Sequence, residues 1–245
     1  MIDGYSLLIF LGLSLLLVVS TLVQRKVPYT LREIPGFQRL RRAIGLAVED
    51  GKRIHISLGR GVLLSENFGV TLSGLGVLKL LSRFALISDH PPIATTGEGS
   101  LMLLAQDGLR STYNRLGLAP RNLPQQAVLA GTTPLAYGVG AYLETREGRI
   151  AVDLLIGHLG NEAAWLGEAS HRQGNLSIAG SDHLTAQAVF TAVATYALIG
   201  EEVFAAGAYL DSNTAQRASL QTQDIARWAI VVFLILASGA KLLGI

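Results

Sequence analysis

Tyr5–Val23 reads YSLLIFLGLSLLLVVSTLV, 19 residues without a charged side chain. At about 1.5 Å per residue a helix of that length spans roughly 28 Å, close to the hydrocarbon thickness of a bilayer. A soluble helix apolar on every side is one rival reading. A cleaved signal peptide is another, but it needs a basic leader and a small-x-small cleavage site. Here Asp3 is the one charged side chain ahead of the run, which ends Leu22-Val23-Gln24. The segment therefore reads as a transmembrane helix over 5–23. A second apolar run, Trp228–Ile245, is shorter and is interrupted by Lys241. A Lys near a helix end snorkels to the headgroups, and Trp favours the opposite interface. Residues 228–245 thus read as a second transmembrane helix, the alternative being a C-terminal helix docked on protein.

The distribution of positive charge orients such a pair. Lys and Arg are absent before the first run, whereas Arg25, Lys26, Arg32, Arg39, Arg41 and Arg42 follow it, and Arg217 and Arg227 precede the second. Positive flanks stay inside, so the expectation is a two-helix protein of the cell membrane with a cytoplasmic central domain and both termini external. The chain has no cysteine, which excludes disulfide scaffolds, Cys-ligated metal sites and thiol catalysis. Half of its residues are hydrophobic and the mean hydropathy is +0.41, which excludes disorder. The sequon at Asn175-Leu176-Ser177 is then a chance match.

Residues 24–51 form a basic, amphipathic juxtamembrane segment. Phe37, Leu40, Ile44 and Ala47/Val48 share one helical stripe flanked by Arg39, Arg41 and Arg42. Two readings stand: an interfacial helix on an anionic leaflet, or a helix packed on the following domain with its arginines in solvent. The basic residues hug the membrane exit and no aromatic-interleaved basic stripe follows, so no nucleic-acid partner is expected.

Residues 52–211 alternate between short β-branched runs and longer helical stretches. Strands are expected at Arg53–Leu58, Pro92–Thr96, Ala127–Ala130, Ile150–Ile156 and Leu176–Ala179. Helices are expected at Val70–Leu86, Ser100–Leu116, Pro134–Thr145, Asn161–Arg172, His183–Leu198 and Glu201–Leu210. That alternation predicts an α/β class domain: a parallel-sheet, three-layer Rossmann-like unit with right-handed crossovers, flanked by the N- and C-terminal transmembrane helices. A polar linker, 212–227, follows it.

The strands end in Gly, Thr, Ser or Asp, residues that turn the chain and cap the next helix. In an open parallel sheet those carboxyl ends line the edge where ligands bind. Thr95, Thr96, Thr132, Thr133, His158, Ser181 and Asp182 are the ligand-binding candidates there, set against plain turn chemistry. The named phosphate motifs fail: GxxxxGK[ST] is absent, and the GxG at Gly74 and Gly138 lacks the third glycine and sits within helices. GxSxG is absent as well, and Ser100 is expected to cap a helix rather than attack a carbonyl. No histidine pair has HxxxH or HExxH spacing, so no catalytic or metal residue is assigned and no cofactor is identified. His158 and His183, with Asp182 and Glu162, form a conceivable acid–base cluster. Glu162 is expected in the first turn of its helix, and Glu201-Glu202 open another.

Three blocks carry a family resemblance. Glu49–Ser57 resembles E-x-G-[KR]-x-[IV]-H-x-S, Leu135-Ala136-Tyr137-Gly138 resembles [F/L]-A-Y-[A/G], and Ile199–Leu210 resembles I-G-E-E-[LV]-[FY]-A-A-x-A-Y-L. Together they resemble, over about residues 35–235, a prokaryotic family of membrane-anchored proteins classed only as a domain of unknown function. The resemblance implies a membrane-tethered α/β domain and carries over no catalytic residue. Two functions fit this reading: a scaffold or assembly module that self-associates or joins a membrane complex, or a small-molecule or nucleotide-binding domain, with or without enzymatic activity. A transporter is disfavoured, since neither apolar run has a central acid or base.

Overall fold

The computed structural model describes residues 4–24, 33–85, 90–118, 123–210 and 214–242. Arg25, Lys26 and Arg32, which orient the first apolar run, lie outside those residues. The chain divides into two units, Glu33–Leu210 and the pair Met1–Arg32 with Asp211–Ile245.

The larger unit is built on a six-stranded, wholly parallel sheet. Its strands are β1 (Arg53–Gly59), β2 (Ile93–Thr96), β3 (Ala127–Leu129), β4 (Ile150–His158), β5 (Leu176–Gly180) and β6 (Tyr196–Leu198). The spatial order is β3-β2-β1-β4-β5-β6, so the winding reverses between β1 and β4. That is the order of doubly wound dinucleotide-binding folds, and the expected Rossmann-like class is what the chain adopts. Parallel strands need long crossovers, and helices supply them on both faces.

One face carries α2 (Pro35–Glu49), α3 (Phe68–Ala85), α4 (Gly99–Arg115) and α9 (Glu202–Leu210). The even positions of β1, Ile54, Ile56 and Leu58, point into this layer beside Leu40, Val77, Leu101 and Val203. The other face carries α6 (Pro134–Glu147), α7 (Ala163–Arg172) and α8 (Leu184–Val193), with Tyr137, Leu155, Leu166 and Phe190 buried between them. A single turn, α5 (Leu123–Gln126), precedes β3.

The amphipathic stretch after the first apolar run is α2. Phe37, Leu40, Ile44 and Ala47 are buried against the sheet, so its apolar stripe packs on the domain. The α/β unit therefore starts near Glu33 rather than at residue 52. Its two ends are fastened to each other. Phe37 stacks on Tyr209 with ring centroids 5.3 Å apart, and Arg41 donates to the carbonyls of Tyr209 and Leu210 at 3.2 and 3.0 Å.

Four local expectations change. The helix expected over His183–Leu198 stops at Val193, and Tyr196–Leu198 pairs with β5 as an edge strand. The cap of α4 is Glu98, whose carboxylate accepts from Leu101 N at 2.8 Å, while Ser100 donates to that carboxylate. Glu162 is the residue before α7 rather than part of its first turn, and its side chain makes no cap bond. Of the linker expected over 212–227, residues 212 and 213 lie outside the described residues, and from Thr214 onward the chain is helical, in one helix, α10 (Thr214–Leu242).

In the smaller unit α1 (Gly4–Gln24) packs beside α10. Ser20, Ala218 and Thr222 are buried there, and small side chains let two helices approach closely. Among the described side chains, Leu11, Leu15, Val18 and Leu22 of α1 and Trp228, Ile230 and Phe233 of α10 are exposed. Among the described residues no helix is long and apolar enough to cross a membrane. Part of each apolar run lies outside the described side chains.

Candidate functional site at the carboxyl edge

The winding reversal between β1 and β4 sets where the chain leaves the sheet in opposite directions. Here the two strand ends close on each other through backbone. Gly59 adopts φ +71°, and a Cβ there would lie 2.3 Å from the His158 carbonyl oxygen. A Cβ on Gly157 would lie 2.0 Å from the Leu58 oxygen. Arg60 N then donates to His158 O at 2.9 Å, and Gly97 N to Gly59 O at 2.8 Å. These glycines serve strand-to-strand contact.

Two polar clusters sit on this edge. In the first, the Arg60 side chain passes over Gly97 and donates from Nε to Glu162 Oε1 at 2.8 Å. The Glu162 side chain is 1% exposed and that of Arg60 23%. Burial alone would raise the Glu162 carboxyl. The Arg60 guanidinium and the backbone N–H groups of Glu162 and Gly160 outweigh it and hold the carboxyl below the ordinary range.

In the second, His158 Nδ1 lies 2.9 and 3.1 Å from the two Asp182 oxygens, while Nε2 faces Asn67 Nδ2 at 3.5 Å. The His183 ring stands edge-on to His158 at 6.4 Å. Ser181 is buried beneath, accepting from Leu159 N at 3.1 Å and donating to Leu159 O at 3.0 Å. An imidazole oriented by a carboxylate on Nδ1, with Nε2 toward the edge, is equipped to accept and return a proton.

The sequence candidates thus separate. His158, Ser181 and Asp182 converge. Thr132 is exposed on the loop before α6, and Thr133 caps that helix, accepting from Ala136 N at 3.2 Å. Thr96 is buried, donating to Val128 O at 3.3 Å. Thr95 points into the interior, where it joins a buried network that sequence reasoning missed. His55 Nδ1 lies 2.7 Å from Asp153 Oδ1 and Nε2 lies 2.9 Å from Thr95 Oγ1. Tyr137 OH continues the chain, 3.4 Å from Thr95 Oγ1 and 2.7 Å from Ser57 Oγ, and accepts from Gly59 N at 3.1 Å. His55, Ser57 and Tyr137 belong to two of the three blocks quoted above, and the network gives them one location. Burial is the main reason the Tyr137 phenol is raised above its ordinary value, with the Glu162 charge adding to it, so the ring stays protonated.

Among the described residues no group of three or more His, Cys, Asp or Glu side chains is placed to hold a metal ion. The fold and its edge define a doubly wound α/β domain with polar clusters at the reversal point. The chain belongs to a family described as a domain of unknown function, DUF6754, whose model matches residues 4–244. No curated protein and no solved structure matches the chain.

Proposed function

We propose that this protein is a membrane-anchored α/β module that works by assembly, its carboxyl edge docking on a second copy of the chain. The observation that carries this reading is the apolar character of that edge. Leu64, in the loop after β1, is 101% exposed; Leu184 at the start of α8 is 80% exposed; Leu135 in the first turn of α6 is 63% exposed. Trp165 in α7 and Ile199 after β6 are half exposed. All five follow the carboxyl ends of strands, so the parallel topology collects them on one edge. Large exposed apolar side chains gathered on one edge are the kind of surface that marks interaction sites. The anchor is the α1/α10 pair, with its outward-facing leucine, valine, isoleucine and aromatic side chains, and the Lys/Arg distribution supports a cytoplasmic side for the domain.

The test is native mass spectrometry of the full chain released from mild detergent. Integer multiples of 26.1 kDa that collapse to one copy in Leu64→Asp plus Leu184→Asp support the reading. A monomer carrying a stoichiometric small-molecule adduct sinks it. That result favours the second reading, a small-molecule or nucleotide site on the same edge. The His158–Asp182 pair, 2.9 Å apart and one-fifth exposed, recommends that alternative.

A further inference from the structure

At the opposite, amino edge of the sheet, a cleft of about 240 Å³ is lined by Gly51, Arg53, His90, Glu147, Gly148 and Arg149. Arg53 opens β1 and Arg149 immediately precedes β4, and the two are tied by Arg53 N donating to Arg149 O at 3.0 Å. Among the described residues neither guanidinium has an ion-pair partner.

The backbone adds an independent observation. The exits of α2, α4 and α7 each pass through a left-handed residue that is glycine: Gly51 at φ +64°, Gly117 at +66° and Gly174 at +66°. The exit of α6 does the same with Arg149, at φ +54°. A residue with a Cβ is strained in that region, and the position normally selects glycine. Strain that a neighbouring solution avoids three times points to a function for the side chain it retains.

We propose that this cleft binds the phosphate group of a small anion, with Arg53 and Arg149 as its principal ligands and His90 at its wall. Guanidinium forks match tetrahedral oxyanions bidentately. The cleft is smaller than the roughly 300–1,000 Å³ of drug-sized pockets, which suits inorganic phosphate or a single phosphate headgroup. Glu147 lines the same cleft and opposes the anion, so it tunes affinity downward.

The experiment uses the full chain in nanodiscs of neutral lipid, comparing wild type with Arg149→Gly and Arg53→Gln. Thermal unfolding is followed against inorganic phosphate, with chloride at matched ionic strength as control. A parallel series uses nanodiscs containing phosphatidic acid. Arg149→Gly relieves the left-handed strain, so it is expected to unfold at a higher temperature than wild type without phosphate. Its affinity is expected to fall about 10-fold or more, the worth of a charge-assisted contact. Glu147→Gln is expected to tighten binding. Stabilisation of wild type by inorganic phosphate, lost in both arginine variants, supports the site with a free anion as its ligand. Silence with inorganic phosphate but stabilisation by phosphatidic acid, lost in the same variants, supports it with a lipid headgroup as ligand. Equal responses of wild type and Arg149→Gly, or no wild-type response to either probe, overturn it.

Discussion

Tyr137 and Glu162 hold the carboxyl edge together from below. The Tyr137 hydroxyl is the partner of a backbone N–H at Gly59, where the chain leaves β1. Tyr137→Phe orphans that donor and is expected to destabilise the unit by about 1–3 kcal/mol in urea unfolding. Glu162→Gln leaves the part-buried Arg60 without its counter-charge, and a loss of about 1–3 kcal/mol at neutral pH is expected. Because the folded-state Glu162 carboxyl is lowered, its contribution is complete above the ordinary Glu value of about 4.3. It is lost as pH falls through the lower folded value. Unfolding measured from pH 7 to pH 2.5 should therefore show wild type and Glu162→Gln converging at the acid end. A gap of constant size would show that the charge plays no part.

At the scale of elements, α2 decides where the domain begins. Leu40→Ala removes a fully buried side chain from the layer on the sheet, and a loss of about 2–5 kcal/mol is expected. By the same argument a fragment spanning 33–210 should fold cooperatively, while one spanning 52–211 should expose the sheet face that α2 covers and bind a hydrophobic dye. β1 to β5 were legible within about two residues at each end, because each is a short apolar run closed by Gly, Thr or a turn. β6 was not. Tyr196-Ala197-Leu198 continues the apolar spacing of α8, and only its pairing with β5 makes it a strand. Of the edge chemistry, His158 and Asp182 were legible because one closes β4 and the other stands two residues beyond β5. Arg60–Glu162 was not, since its partners are 102 residues apart in sequence. Thr95 was misjudged by parity: alternate strand residues face opposite layers, and this one turns to His55 rather than to the edge.

For the whole molecule, the proposed anchor and assembly edge make separable predictions. The full chain should remain with membranes through alkaline carbonate washing, and the 33–210 fragment should not. The anchored chain should self-associate through Leu64 and Leu184, whereas the fragment should do so only at higher concentration, since tethering raises effective concentration. The fastening of Phe37 and Arg41 to Tyr209 and Leu210 has a further consequence. A unit whose entry and exit meet at one clasp is topologically a plug-in. Spliced through its clasp into a surface loop of an unrelated host, it should leave the host fold undisturbed and keep its own, with no stretch of sheet spanning the junction.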